Sequence, residues 1–206
     1  MVFYFLQGSI LALYATITPG PFQAFLISQS LKNGWKRTLP AALAPLVTDG
    51  PIIAVVLFIL TQTPQWFLDI LRIAGGLFII YLARGIFLNL KTSGPKFTPS
   101  DSAARQTFFN AVIMNALNPN PYIFWSVIAG PIVLSGWRQS ASLGIGFLIG
   151  FFGTFVCCLA LLIILFATAG RLNPRVNRIM IVVSGSALLV FGLYQIVVGL
   201  IYCLFV

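Results

Sequence analysis

Thr18-Pro19-Gly20-Pro21-Phe22-Gln23-Ala24-Phe25-Leu26 lies inside an apolar run that begins at Val2. A second interruption of the same kind, Asn118-Pro119-Asn120-Pro121-Tyr122-Ile123-Phe124-Trp125, lies 118 − 18 = 100 residues further on. Proline inside a helix removes a backbone hydrogen bond and collides with the preceding turn, at a cost of about 3 kcal/mol or more. In hydrocarbon the freed backbone groups have no water to turn to and must face protein or a wet cavity. One such proline would read as a kink. Two matched Pro-x-Pro elements in apolar runs point to helices broken inside a membrane.

The rest of the composition agrees. Of 206 residues 59% are hydrophobic and 7% charged, against about 25% charged in a soluble domain, and mean hydropathy is +1.01. There is too little charge here to cover a surface facing water. The net charge of +9 comes from twelve scattered Lys and Arg that form no basic face, so no nucleic-acid partner is expected. Cys157, Cys158 and Cys203 sit in apolar runs without polar co-ligands. They suit helix packing, and neither a disulfide framework nor a metal site is expected. No cofactor is implied. Met1–Ser28 carries no Lys or Arg, so it lacks the basic start of a signal peptide and reads as the first span.

Spanning the hydrocarbon takes about 20 mostly apolar residues. Six segments meet that length: Val2–Ser28, Leu39–Leu60, Phe67–Leu90, Phe108–Ala129, Ser140–Ala167 and Ile179–Leu204. The first, third and fifth loops carry Lys32, Lys36, Arg37, Lys91, Lys96, Arg105, Arg171, Arg175 and Arg178, whereas the second carries no basic residue and the fourth only Arg138. The positive-inside rule puts the odd loops in the cytoplasm and both termini outside. Asp69 and Arg72, three apart near the outer end of the third span, read as an exposed ion pair. Arg84, near its inner end, can snorkel to the headgroups.

The order of motifs repeats. Gly34-Trp35-Lys36-Arg37 follows the first Pro-x-Pro and Gly136-Trp137-Arg138-Gln139 the second, and Gly75–Tyr81 weakly resembles Gly185–Phe191. The fold expected is therefore an all-α integral membrane protein of six helices, built as a 3+3 inverted repeat with helices one and four broken. The chain forms one membrane domain over residues 1–206, with repeats at 1–90 and 108–206 and a cytoplasmic loop at 91–107. Inverted repeats with broken helices are the plan of secondary transporters, whose site lies near the bilayer midplane.

Thr18, Asn118 and Asn120 are N-cap types, and Pro suits a first helical turn. Half-helices starting at Pro21 and Pro121 would aim free N–H groups and a positive dipole end into a cavity, which suits a carboxylate. Asn118 sits about ten residues from its cytoplasmic end, roughly 15 Å at 1.5 Å per residue. Asp49 is the only acid interior to any span, at an insertion cost of roughly 2.5–3.5 kcal/mol. It could exchange a proton, hold a substrate ammonium group, or sit protonated against a neighbouring hydroxyl or carbonyl. Gly144, Gly146, Gly150 and Gly153 in the fifth span permit close helix packing.

Thr18-Pro19-Gly20-Pro21, Asp49 and Asn115-x-x-Asn118-Pro119 together resemble the LysE/RhtB translocator family, in motif order and over essentially the whole chain. That resemblance implies an exporter of amino acids or similar small metabolites in the bacterial inner membrane, driven by the proton gradient. Two positions depart from it: Asn120 stands where members often have Lys, and Thr48 where many have Gly. The expected substrate-binding set is Thr18, Pro19, Gly20, Pro21, Asp49, Asn115, Asn118, Pro119, Asn120 and Pro121, with Asp49 also the proton-coupling residue. The competing reading is an inorganic cation transporter or channel, with Asp49 and Asn side chains as an oxygen-rich site. An enzyme is disfavoured, because there is no His and no second midplane acid, and no catalytic residue is assigned. The expected partners are the lipid bilayer and a small-molecule substrate, and a homodimer would suit so small a transporter.

Overall fold

The computed structural model describes residues 1–56, 65–92, 101–172 and 174–205, with side chains left undescribed at a few helix ends. Among these residues there is no strand. The helices are α1 (Val2–Ile17), α2 (Pro21–Asn33), α3 (Trp35–Thr38), a 3-10 turn at Leu39–Leu43, α4 (Ala44–Ala54), α5 (Gln65–Thr92), α6 (Asp101–Ala116), α7 (Pro119–Ile123), a π-turn at Phe124–Ala129, α8 (Gly130–Gln139), α9 (Ala141–Leu172) and α10 (Pro174–Phe205).

Within α5, α9 and α10 the segments Trp66–Leu88, Ala141–Gly170 and Arg175–Ile201 are each long and apolar enough to cross a membrane, and α1 with α2 makes a fourth span bent by 69°. The chain is a multi-pass membrane protein on that basis. The expected second span begins as the 3-10 turn and α4, because Pro40, Pro45 and Pro51 interrupt regular winding there; its end lies outside the described residues. The expected fourth span, Phe108–Ala129, runs as most of α6, then α7 and the π-turn, and helix continues beyond it as α8. Of the 91–107 loop, residues 93–100 lie outside the described set, and α6 begins at Asp101.

Large apolar side chains coat the outside: Phe3, Leu6, Ile10 and Ile17 on α1, and Ile149, Leu161 and Leu165 on α9. With lipid as the solvent this exposure carries no penalty. Inside, α2 is the hub and packs on α6, α9 and α10. Phe22, Phe25, Leu26 and Ser28 are all buried, as expected of a helix that is surrounded by protein.

Of the glycines of α9, Gly146 and Gly150 face the start of the chain, at Met1 and at Phe5 of α1. A Cβ on Gly150 would collide with the Phe5 carbonyl, one on Gly8 with the Phe147 carbonyl, and Ser9 Oγ donates to Gly150 O at 3.3 Å. Gly144 abuts the Trp137 ring, whereas Gly153 faces open space. The helices α5 and α10 cross at Gly76 and Gly192, where a Cβ on either would lie 2.7 or 2.9 Å from the other's carbonyl oxygen. This contact is not in the Gly75/Gly185 register of the sequence repeat. The Gly-Trp repeat also takes two different forms. Gly34 (φ 77°, ψ 166°) is a turn between α2 and α3, while Gly136 lies within α8 against the Tyr4 ring.

The reading of Asp69 and Arg72 as an exposed pair is corrected. Asp69 is only 5% exposed, and Arg72 Nη1 donates to its Oδ1 at 2.7 Å. The cause is α10, where Gly199 lets that helix close over both residues. Of the cysteines, Cys157 is exposed on α9, Cys158 is half-buried, and Cys203 lies outside the described side chains.

Candidate functional site

Both helix breaks fall at the Pro-x-Pro elements. Thr18 (φ −63°, ψ 117°) and Asn118 (φ −79°, ψ 124°) are extended, and helix resumes at Pro21, as expected, and at Pro119 rather than at the expected Pro121, because Asn118 caps it. An extended residue is what the position before a proline prefers.

The freed backbone groups are largely satisfied by side chains. Pro19 has no N–H for the Ala15 carbonyl, and Gln23 Nε2 donates to that oxygen instead at 3.0 Å. Thr18 N and Oγ1 both donate to Tyr14 O, at 3.0 and 2.8 Å. In the second break Asn118 N reaches Asn115 O at 3.2 Å, the oxygen that Pro119 leaves without its helical donor. Tyr122 Oη donates to Ala116 O at 2.9 Å. Asn118 Oδ1 caps α7 by accepting from Asn120 N at 3.2 Å. The start of α2 has no side-chain cap, so the N–H groups of its first turn remain as donors.

Between the breaks lies a cavity of about 310 Å³. Eight of the ten expected residues line it: Thr18, Pro19, Gly20, Asp49, Asn115, Asn118, Asn120 and Pro121. Pro21 and Pro119 do not. Both are buried in the packing that starts each half-helix. The wall also includes residues that sequence reasoning missed: Tyr14, Gln23 and a cluster of aromatics, Phe22, Phe124, Trp125, Phe151 and Phe155. Nothing in an apolar sequence separates these from ordinary core aromatics. Only Phe22, Gln23, Phe124 and Trp125 carried a signal, by following the Pro-x-Pro elements at short range.

Asp49 is the polar centre. It is 4% exposed, and both carboxylate oxygens are engaged. Asn115 Nδ2 donates to Oδ1 at 2.8 Å, Thr48 Oγ1 stands 3.3 Å from the same oxygen, and Trp125 Nε1 donates to Oδ2 at 3.3 Å. Asn115 Nδ2 also reaches Thr48 Oγ1 at 2.6 Å, and that hydroxyl lies 3.1 Å from Ala44 O. Helices α4 and α6 and the π-turn are thereby joined at one carboxyl group. Trp125 is fully buried, stacked on Phe152 at 5.9 Å and edge-on to Phe151 at 5.2 Å. The π-turn at Phe124–Ala129 adds a residue to the helical turn and so re-aims the indole.

No Lys or Arg lines this cavity. What it offers a guest is one carboxyl, several amides, helix-start N–H groups and aromatic faces. Among the described residues no cluster of three His, Cys, Asp or Glu could hold a metal ion.

Comparison with curated proteins and with solved structures gives no match. The family model of the LysE type translocator matches residues 13–199, a stretch that includes both helix breaks and Asp49. On that match, over nearly the whole chain, this protein belongs to the LysE type translocator family.

Proposed function

We propose that the protein is a proton-coupled secondary transporter that exports amino acids or related small metabolites by alternating access. The observation that carries this reading is the single cavity onto which both helix breaks and Asp49 open. The substrate carboxylate meets the half-helix start at Pro21, where the uncapped first-turn N–H groups and the dipole favour an anion. Asp49 takes the ammonium group or the coupling proton. Asn115, Asn118 and Asn120 supply side-chain hydrogen bonds, and the aromatic wall takes the apolar part of the substrate.

In the proposed topology six spans form two inverted three-helix repeats in a bacterial inner membrane, with both termini outside. Three contacts support this reading: broken helix one (α1, α2) packs on α9, broken helix four (α6, α7) packs on α4, and α5 packs on α10. A homodimer is part of the proposal.

Efflux from reconstituted liposomes under an imposed pH gradient tests the reading, with a panel of labelled amino acids and Asp49→Asn beside the native chain. Gradient-driven movement of one amino-acid class, abolished in Asp49→Asn, is expected. Cation flux without amino-acid movement would overturn it in favour of the inorganic-ion reading. In that alternative the cation has to displace the Asn115 and Trp125 donors that now face Asp49.

A further inference from the structure

A second cavity, of about 330 Å³, opens between α2, α5 and α6. Its wall includes two cations, Lys32 in the last turn of α2 and Arg84 on α5, together with the amides of Asn33, Gln106 and Asn110. No acid lines it among the described residues. Asp49 lies in the first cavity, Asp69 is paired with Arg72, and the Asp101 side chain lies outside the described set. Two cations facing one hollow repel each other unless an anion sits between them. The hollow is also built into the fold. Asn33 Nδ2 donates to Gln29 Oε1 at 3.0 Å within α2 and to Thr107 Oγ1 at 3.2 Å, and the second bond ties α2 to α6 in the wall of the hollow.

The exposed neighbours say which anion fits. Tyr81, Arg84 and Leu88 lie on one face of α5 at i, i+3 and i+7. Tyr81 and Leu88 are 68% and 51% exposed, and exposed Leu77 extends the strip one turn further. A small soluble anion has no use for such a track, but an acyl chain does. Basic pockets between membrane helices at the cytoplasmic side suit anionic headgroups, and tyrosine belongs at the headgroup level. The odd-loop basic residues Lys36, Arg37 and Arg105 cluster with the same helix ends in sequence.

We propose that this groove binds the phosphate of an anionic phospholipid, with Lys32 and Arg84 as its charge partners and the α5 strip under its chain. Native mass spectrometry of the purified full chain in detergent tests this, with phosphatidylglycerol and phosphatidylcholine of matched chains added together. Phosphatidylglycerol is expected to be retained preferentially. At about 1 kcal/mol per basic residue, Lys32→Gln or Arg84→Gln weakens retention about fivefold and the pair about 25-fold. Arg138→Gln leaves it unchanged. The charge-keeping pair Lys32→Arg with Arg84→Lys retains the lipid, which separates loss of charge from loss of fold. Equal retention of phosphatidylcholine, or full retention by the double Gln variant, overturns the proposal. Displacement by soluble glycerol phosphate at the lipid's own concentration overturns it too, by showing a free oxyanion site.

Discussion

Asp49 is held by donors from three elements, so each donor can be removed singly. Trp125→Phe keeps a ring between Phe151 and Phe152 but deletes the N–H that reaches Asp49 Oδ2. The expected stability loss is about 1–3 kcal/mol, with efflux reduced more than that loss explains. Trp125→Ala opens a cavity in a fully buried position and is expected to cost about 3–5 kcal/mol. Thermal unfolding in detergent beside liposome efflux checks both, and a Trp125→Phe protein with native transport would remove the indole from the site. Gly34 (φ 77°, ψ 166°) occupies backbone space reserved for glycine. Gly34→Ala is expected to lower stability by about 1–3 kcal/mol, read in the same melting experiment.

At the level of elements, the breaks set stability against transport. Pro119→Ala restores an N–H that can bond Asn115 O and frees Asn118 from the extended conformation, which extends helix across the second break. The expected outcome is an unfolding temperature no lower than native together with impaired efflux. Unimpaired efflux would mean that the break is only a kink. Gln23 works in the opposite direction, because its amide satisfies the Ala15 carbonyl that Pro19 leaves open. Gln23→Leu leaves that oxygen without a donor and is expected to cost about 1–3 kcal/mol, again read as a shift in unfolding temperature. Gly75 guards the second break, since a Cβ there would stand 2.5 Å from the Leu117 carbonyl.

For the molecule as a whole, the long helices are joined by close backbone contacts, and α10 covers an ion pair formed within α5. Gly76 and Gly192 allow α5 and α10 to touch, and Gly8 and Gly150 do the same for α1 and α9. Without a hydrophobic drive between helices in lipid, such close contacts carry the association. Asp69 and Arg72 lie under α10. Asp69→Asn removes the charge that Arg72 Nη1 now meets at 2.7 Å and is expected to destabilise by about 1–3 kcal/mol, measured by unfolding in detergent. The proposed topology predicts that tags on both termini are labelled from the same face of the membrane. Arg138 should share that face, and Lys36 should lie on the opposite one. Labelling of the two termini from opposite faces would refute the even number of spans.

How far the sequence alone reaches depends on how local each signal is. Membrane residence followed from composition, and the breaks followed from Pro-x-Pro, because proline acts on its own backbone and nothing elsewhere can restore its missing N–H. Asp49 stood out because a lone acid in an apolar run is anomalous wherever the helix packs. What only the tertiary structure decided is which neighbours those residues meet. Trp125 and Tyr14 look like any membrane aromatic until the folded chain brings them to the Asp49 cavity. Asp69 and Arg72 read as exposed until α10 covers them, and Lys32 and Arg84 are 52 residues apart (84 − 32) until α2 and α5 line one groove. These are long-range contacts between helices that all look alike along the chain. Hydrophobic periodicity says little about which face meets which when lipid and protein are equally apolar.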